Sequence, residues 1–354
     1  MPHPNEHEIQ LKPRYYKNAV IITDFNCGLT SAQIDMRFQS VFRNTAEDII
    51  NNGPLSKLIK VSKWTKNLQT TRPPVVHNIF TIPHGNIDFA AYALYSTYRV
   101  LGRKTRPNIF IHVTDPGEGY SSDRSILVSD TDNVMIGPNN GTLGLMKAYF
   151  DSRNIEYDLF PIDTVKVEAL ERLRVSSPTY ELPRTFHGRD LFAVVGGLIA
   201  GGVDPHCLAP DAKMDYEPKE TTFSQGLQHL PVKRGESIQL TCFRDQNFGS
   251  LRTNLCVSSA VVQDLIKEKA VYELSHIHEK AGLLERLFSR PVQFPLTNTF
   301  SDLKAGDPIL YQGSTFSTYW DERFIELAIN RQNIGQILDV PMNASKTFTL
   351  NRIK

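Results

Sequence analysis

Three short apolar runs, each breaking off at a polar turn, constrain this chain more than anything else in it. Ala19-Val20-Ile21-Ile22-Thr23 stops at Asp24. Ile109-Phe110-Ile111-His112-Val113 leads to Asp115 and the turn Pro116-Gly117-Glu118-Gly119. Val134-Met135-Ile136-Gly137 enters Pro138-Asn139-Asn140-Gly141. Continuous apolar runs of this length are the pattern of strands covered on both faces, as in a parallel sheet. Helical patterns lie around them, over Ile87 to Arg99 and Thr142 to Phe150, and Asp190 to Ala200 reads as a buried helix stopped by Gly201-Gly202. Strands alternating with helices argue for an α/β fold, and in such folds ligands bind beyond the carboxyl ends of the strands.

The texture changes after residue 204. Pro205 to Thr222 is rich in charge and proline and reads as a linker. Beyond it, Ser237 to Cys242, Val271 to Leu274 and Thr347 to Leu350 are strand patterns without long helices between them, which suggests a smaller, mostly antiparallel β domain. The expected division is therefore an α/β domain over 15–204, a linker over 205–222 and a β domain over 223–354. Asn44 to Thr71 shows no clean period and reads as an inserted loop or a short helix.

Composition narrows the function classes. Lys and Arg total 39 against 38 Asp and Glu, with no long basic run, so neither nucleic acid nor a membrane surface is an expected partner. The polar start Met1-Pro2-His3-Pro4 lacks a signal-peptide core, and no apolar stretch has the length of a membrane span. Cys27, Cys207, Cys242 and Cys256 are widely spaced, with no C-x-x-C pair. Isolated thiols point to a reducing, cytoplasmic setting and offer no zinc motif, so no metal is expected. No G-x-G-x-x-G follows a strand, so a dinucleotide cofactor is not expected either.

The densest chemistry is Thr185-Phe186-His187-Gly188-Arg189-Asp190, an imidazole and a glycine beside an Arg/Asp pair. Together with Ile22-Thr23-Asp24-Phe25, Ile82-Pro83 ahead of Ile87 and Ala90-Ala91, Asp115 to Gly119 and Pro138 to Gly141, it resembles the S-adenosylmethionine (SAM) hydrolases that form adenosine, the SAM hydroxide adenosyltransferases. Fluorinases and chlorinases are their halogenating relatives. The resemblance continues through Asp245 with Phe248-Gly249 and Thr253-Asn254, then Pro295 to Phe300 and Phe324 to Ala328.

The resemblance implies a Rossmann-like N-terminal domain with a mostly parallel, seven-stranded sheet and a β-barrel-like C-terminal domain. It also implies a homotrimer whose sites form between subunits, SAM as substrate with no cofactor, and adenosine and methionine as products. On that reading Asp115, His187 and an arginine position the attacking water. Asp115 has a second reading as a cap for its loop amides, and His187 as an interface hydrogen bonder. Arg124 is the available arginine, although it aligns with the second of the family's adjacent pair, and a structural salt bridge is its alternative role. Asp24 accepts the ribose hydroxyls; Phe25, Thr185, Phe186 and Gly188 line the ribose and C5′ region; Phe248 and Phe300 pack on adenine; Asp245 and Ser250 meet the methionine end. Gly85 stands where the family has an aromatic wall. Halogenation is the lesser alternative, because Asp115 puts a carboxylate where a halide would sit. A SAM- or adenosine-binding protein with little turnover is the rival from a different class.

Overall fold

The structure, a computed structural model, describes residues 16, 18–24, 28–51, 53–55, 74–79, 82–102, 107–114, 124–129, 133–182, 186–211, 217–245, 249–276, 292–298, 304–316 and 322–354. Its N-terminal part is a sheet between helices. Strands β1 (Asn18–Thr23), β2 (Val75–Ile79), β3 (Asn108–Val113), β4 (Arg124–Ser129), β5 (Val134–Pro138) and β6 (Tyr157–Pro161) lie in the order β2-β1-β3-β5-β4-β6. The pairs β1–β2, β1–β3 and β3–β5 are parallel, and β4 runs against both of its neighbours. Five strands thus share one direction. The described residues supply six strands where seven are expected, and the sheet is mixed through β4.

Burial explains the three apolar runs. Every residue of β3 and β5 is buried, as is β1 after Asn18. On one face Ile109, Ile111 and Val113 meet the helices α1 (Gly28–Ile50) and Ala193–Ala200. On the other, Phe110 and Met135 join the helix α2 (Ile87–Leu101) and aromatic residues that come from the C-terminal part. Chain wrapped on both sides leaves only the strand ends for polar chemistry. The expected insertion over Asn44 to Thr71 needs correction at its start, because Asn44–Ile50 is the last two turns of α1; 56–73 lie outside the described residues. The expected helix from Asp190 also begins differently: Gly188–Phe192 is a π turn, and the α-helix proper runs from Ala193 to Ala200.

The C-terminal part closes on itself. Strands β8 (Ser237–Arg244), β9 (Leu251–Ser258), β10 (Val271–His276), β11 (Gln293–Thr297), β12 (Pro308–Phe316), β13 (Glu322–Ile329) and β14 (Lys346–Arg352) follow the order β13-β12-β11-β10-β14-β8-β9, and β9 pairs with β13 to complete a seven-stranded barrel. All its pairings are antiparallel except β11 (Gln293–Thr297) with β12 (Pro308–Phe316). The two-residue strand β7 (Gln228–His229) adds outside β9. Phe243 and Phe324 of the barrel wall, with Phe223 of the short helix Thr222–Gln225, pack around Tyr92 and Tyr95 of α2, with Tyr92 centroids 5.6 Å from Phe243 and 5.5 Å from Phe324. Pro205 to Thr222 is no plain spacer where it is described: the Asn139 side chain donates to Glu217 O at 2.9 Å and accepts from Lys219 N–H at 2.8 Å.

His112 is fully buried on β3, and neither ring nitrogen has a hydrogen-bond partner. Burial disfavours the imidazolium, pushing the pKa from 6.5 down to about 3. The unfolded chain therefore binds the extra proton between those two values, and stability is lost as pH falls through that window. Thermal unfolding followed by circular dichroism is expected to give a lower Tm at about pH 4.5 than at about pH 7, and His112→Leu is expected to shrink that difference. An unchanged pH dependence in the variant contradicts the role assigned to His112.

Candidate active site at the strand tips

β1, β3 and β5 end side by side, and the reversed β4 begins at the same edge, with Arg124 paired to Pro138 in register. The edge gathers Asp24, Thr114, Asn139, Asn140 and Arg124 from four separate strands. Asn140 fixes two of these ends, donating to Thr114 O at 2.5 Å and accepting from the Thr142 hydroxyl at 2.9 Å. Asp115 comes directly after Thr114 and lies outside the described residues, as do Phe25, Thr185, Phe248 and Phe300.

Asp24 is buried at the tip of β1. Its Oδ2 accepts from the Gly85 N–H at 2.7 Å, and the His84 imidazole lies 3.2 Å from the same oxygen. Gly85 has φ 68, the left-handed region that a Cβ penalises, so glycine here lets the loop present its amide to the carboxylate. The start of α2 holds this loop in place. Asn86 caps the helix by accepting from Phe89 N–H at 2.9 Å and donates to Met342 O at 2.8 Å; Asp88 in the first helical turn accepts from Ser345. The barrel thereby fixes the loop that grips Asp24. His84 was not expected at the site, and Gly85 was expected only as a missing aromatic wall. A glycine after Pro83-His84 at the mouth of a helix was the signal available for them.

The second group is the pair the sequence separates by 63 positions. The Arg124 Nη2 donates to His187 Nε2 at 2.8 Å. Guanidinium nitrogens are donors only, so Nε2 is the acceptor and the imidazole is neutral with its proton on Nδ1. Arg124 thus reaches His187 despite its shifted alignment. His187 stands at the head of the π turn, and Phe186 packs beside it under the Arg189 guanidinium, 5.6 Å from the ring centroid. Arg189 in turn makes two 2.7 Å bonds to Asp190, which anchors the turn from behind. Gly188 brings the turn onto β3: a Cβ there would lie 2.7 Å from Val113 Cγ1 and 3.1 Å from the Phe186 ring.

Asp245 and Ser250 form part of a different, barrel-borne cluster. Asp245 Oδ2 accepts from Arg252 Nη2 at 2.9 Å, and Arg252 also holds Glu326. Tyr311 donates to Glu326 at 2.5 Å, and Ser250 lies within 3.4 Å of the same oxygen. Glu326 is buried and its pKa is raised by desolvation, opposed by Arg252. The expected contact of Asp245 with an ammonium therefore has an internal competitor, Arg252.

Residues 67–209 match the model of the SAM hydroxide adenosyltransferase N-terminal domain. The match lies in the N-terminal part of the chain. Among curated proteins it is 24% identical over 266 residues to a protein named (R)-S-adenosyl-L-methionine hydrolase from Thermus thermophilus, covering 75% of this chain and 84% of that one. A protein of the same name from Methanocaldococcus jannaschii is 27% identical over 115 residues, 32% of this chain and 37% of the relative. Among solved structures, an uncharacterized conserved protein from Thermotoga maritima superposes with a TM-score of 0.58 at 14% identity, and a conserved hypothetical protein from Thermus thermophilus with 0.53 at 16%. Each covers 95% of this chain and 99% of its own, a likeness of fold alone. The matched span contains β3, β4, β5, α2, Arg124 and His187, and begins after β1 and Asp24.

Replacing Gly188 tests the packing that seats His187. Gly188→Ala is expected to cost about 1–3 kcal/mol in urea unfolding, the range for forcing a methyl into a filled core. A variant as stable as the parent contradicts the close approach of this turn to Val113.

Proposed function

We propose that the chain hydrolyses S-adenosyl-L-methionine to adenosine and L-methionine, with water displacing the methionine sulfur at the ribose C5′. The observation that carries this reading is the Arg124–His187 contact of 2.8 Å at the edge where β1 and β3 end in Asp24 and Thr114. The water oxygen bonds to C5′ as the C5′–S bond breaks. The electron pair of that bond returns to sulfur, which leaves as a neutral thioether. The sulfonium is thus its own good leaving group, and the protein's task is to hold and partly dehydrate the water on the opposite side of C5′. Loss of the water's proton then gives the 5′-hydroxyl.

In this scheme Asp115 orients the water and takes that proton, and the neutral His187, held by Arg124, completes the water's hydrogen bonds. Asp24 accepts the ribose hydroxyls, its orientation set by Gly85. Thr185, Phe186, Gly188 and Phe25 surround the ribose. No metal is needed, because no poor leaving group has to be stabilised. A carboxylate at position 115 in a dry pocket repels halide, which favours water as nucleophile.

The proposal extends to assembly. Residues 15–204 bind SAM as a Rossmann-like domain, and the barrel over 223–354, reached through 205–222, supplies Asp245, Phe248, Ser250 and Phe300 to a neighbouring subunit's site in a homotrimer. Such an arrangement requires Asp245 to exchange part of its bond with Arg252 for the methionine ammonium. The setting proposed is cytoplasmic; among the described residues no helix is long and apolar enough to cross a membrane.

The test is product analysis by chromatography and mass, after incubation with SAM in buffers with and without chloride. Adenosine and methionine are expected in both. Asp115→Asn and His187→Ala are each expected to lower kcat by about 10²–10⁴-fold while adenosine binding persists, the range for a positioned proton-transfer group. A 5′-chlorinated nucleoside, or tight nucleoside binding without turnover, contradicts the proposal.

A further inference from the structure

A cluster of metal-ligating side chains stands on the barrel wall, apart from the strand tips. His229 of β7 pairs in register with Cys256 of β9. On the other side of β9, Glu322 of β13 pairs with Ser258 and Phe324 with Cys256. Paired residues share a face, and so do residues two apart on one strand. His229, Cys256 and Glu322 therefore project from the same side of three adjacent strands. Leu255 and Val257, one position off, belong to the barrel interior, so this side is the outer one.

The ligand atoms of the three residues lie within 4.8 Å of one another. His229 Nδ1 is 3.2 Å from Glu322 Oε1. That separation is the edge of a tetrahedron with bonds of about 2.0 Å, the usual zinc–nitrogen and zinc–oxygen distance. Cys256 is completely buried beneath them, with its Sγ 3.4 Å from Gln228 O. The other carboxylate oxygen, Glu322 Oε2, is buried with no hydrogen-bond partner. Among the described residues, the ion-pair partner of Glu322 is His229, which carries charge only when protonated. A mostly buried carboxylate with one oxygen unsatisfied is costly unless a cation completes it.

We propose that His229, Cys256 and Glu322 bind a divalent transition metal of the zinc class. A thiolate, a neutral imidazole and a carboxylate form a borderline-soft donor set, which suits zinc or cobalt and not magnesium or calcium. The charges balance: two anionic ligands neutralise one dication, and the thiol releases its proton as the metal binds. His229 is exposed, so the fourth position faces solvent and takes a water. The ion bridges β7, β9 and β13. It fastens the two-residue strand β7, through which the chain enters the barrel and whose register with β9 spans two residue pairs.

Titration of the full-length chain with cobalt(II) chloride, after dialysis against a chelator, reads this site directly. A near-ultraviolet thiolate-to-cobalt absorption saturating at one equivalent is expected, and zinc chloride is expected to erase it. Cys256→Ser is expected to abolish the absorption although Cys27, Cys207 and Cys242 remain. His229→Ala, a change at an exposed position that leaves the fold intact, is expected to weaken cobalt affinity by at least about 10–100-fold, the loss seen even for partners that only orient a ligand. No thiolate absorption in the parent, the same absorption in Cys256→Ser, or unchanged affinity in His229→Ala overturns the proposal. The titration contains no SAM, so its outcome stands apart from that of the hydrolysis assay.

Discussion

Covering both faces of the central sheet is the constraint on which the rest of the molecule depends. β1, β3 and β5 have no solvent face: α1 and Ala193–Ala200 close one side, and α2 with the barrel's aromatic residues closes the other. Polar side chains are thereby excluded from the strand interiors, His112 being the exception that acid exposes. Asp24, Thr114, Asn139 and Asn140 are displaced to a single edge. The same burial couples the two halves of the chain, because Phe243 and Phe324 of the barrel complete the core beneath α2. The loop holding Asp24 is in turn braced by barrel residues at Met342 and Ser345.

Reversal of β4 gives this edge its cation. Had β4 run parallel to its neighbours, Arg124 at its start would sit at the far end of the sheet. Running antiparallel, it pairs with Pro138 and meets His187 across the strand ends. The π turn at Gly188–Phe192 serves the same end, pressing the backbone against Val113 directly after His187. A neutral, directed imidazole beside a fixed guanidinium suits the ordering of a water molecule. The positive charge lies behind the imidazole and leaves its ring uncharged.

Much of this was legible in the sequence, and the omissions have physical causes. The strands at 18–23, 108–113 and 134–138 announced themselves because burial on both faces demands unbroken apolar runs. α1 was missed although its stripe is present: Ile34, Phe38, Val41, Thr45 and Ile49 are all buried at helical spacing. Reading the segment from Asn44 onward cut that stripe near its end. Arg124 and His187 were grouped through the resemblance, but their direct 2.8 Å contact follows from the fold. Asp245 was named through the resemblance for the methionine end, and its engagement by Arg252 was not legible, since it depends on the register of β8, which Asp245 follows, against β9. The His229–Cys256–Glu322 cluster was invisible for the same reason: its members come from three strands, with no repeated spacing along the chain.

Direct attack of water on C5′ is the step proposed for the strand tips, and a single turnover in ¹⁸O-enriched water tests it most directly. With protein in excess over SAM, each active site reacts once, and the 5′-oxygen of the adenosine is read by mass. Direct attack predicts that this first adenosine carries the heavy isotope. Unlabelled adenosine would mean that a protein carboxylate formed the bond to C5′ and gave up its own oxygen when the ester was cleaved. That result, or the appearance of S-adenosylhomocysteine in place of adenosine, would contradict the roles assigned to Arg124, His187 and Asp115.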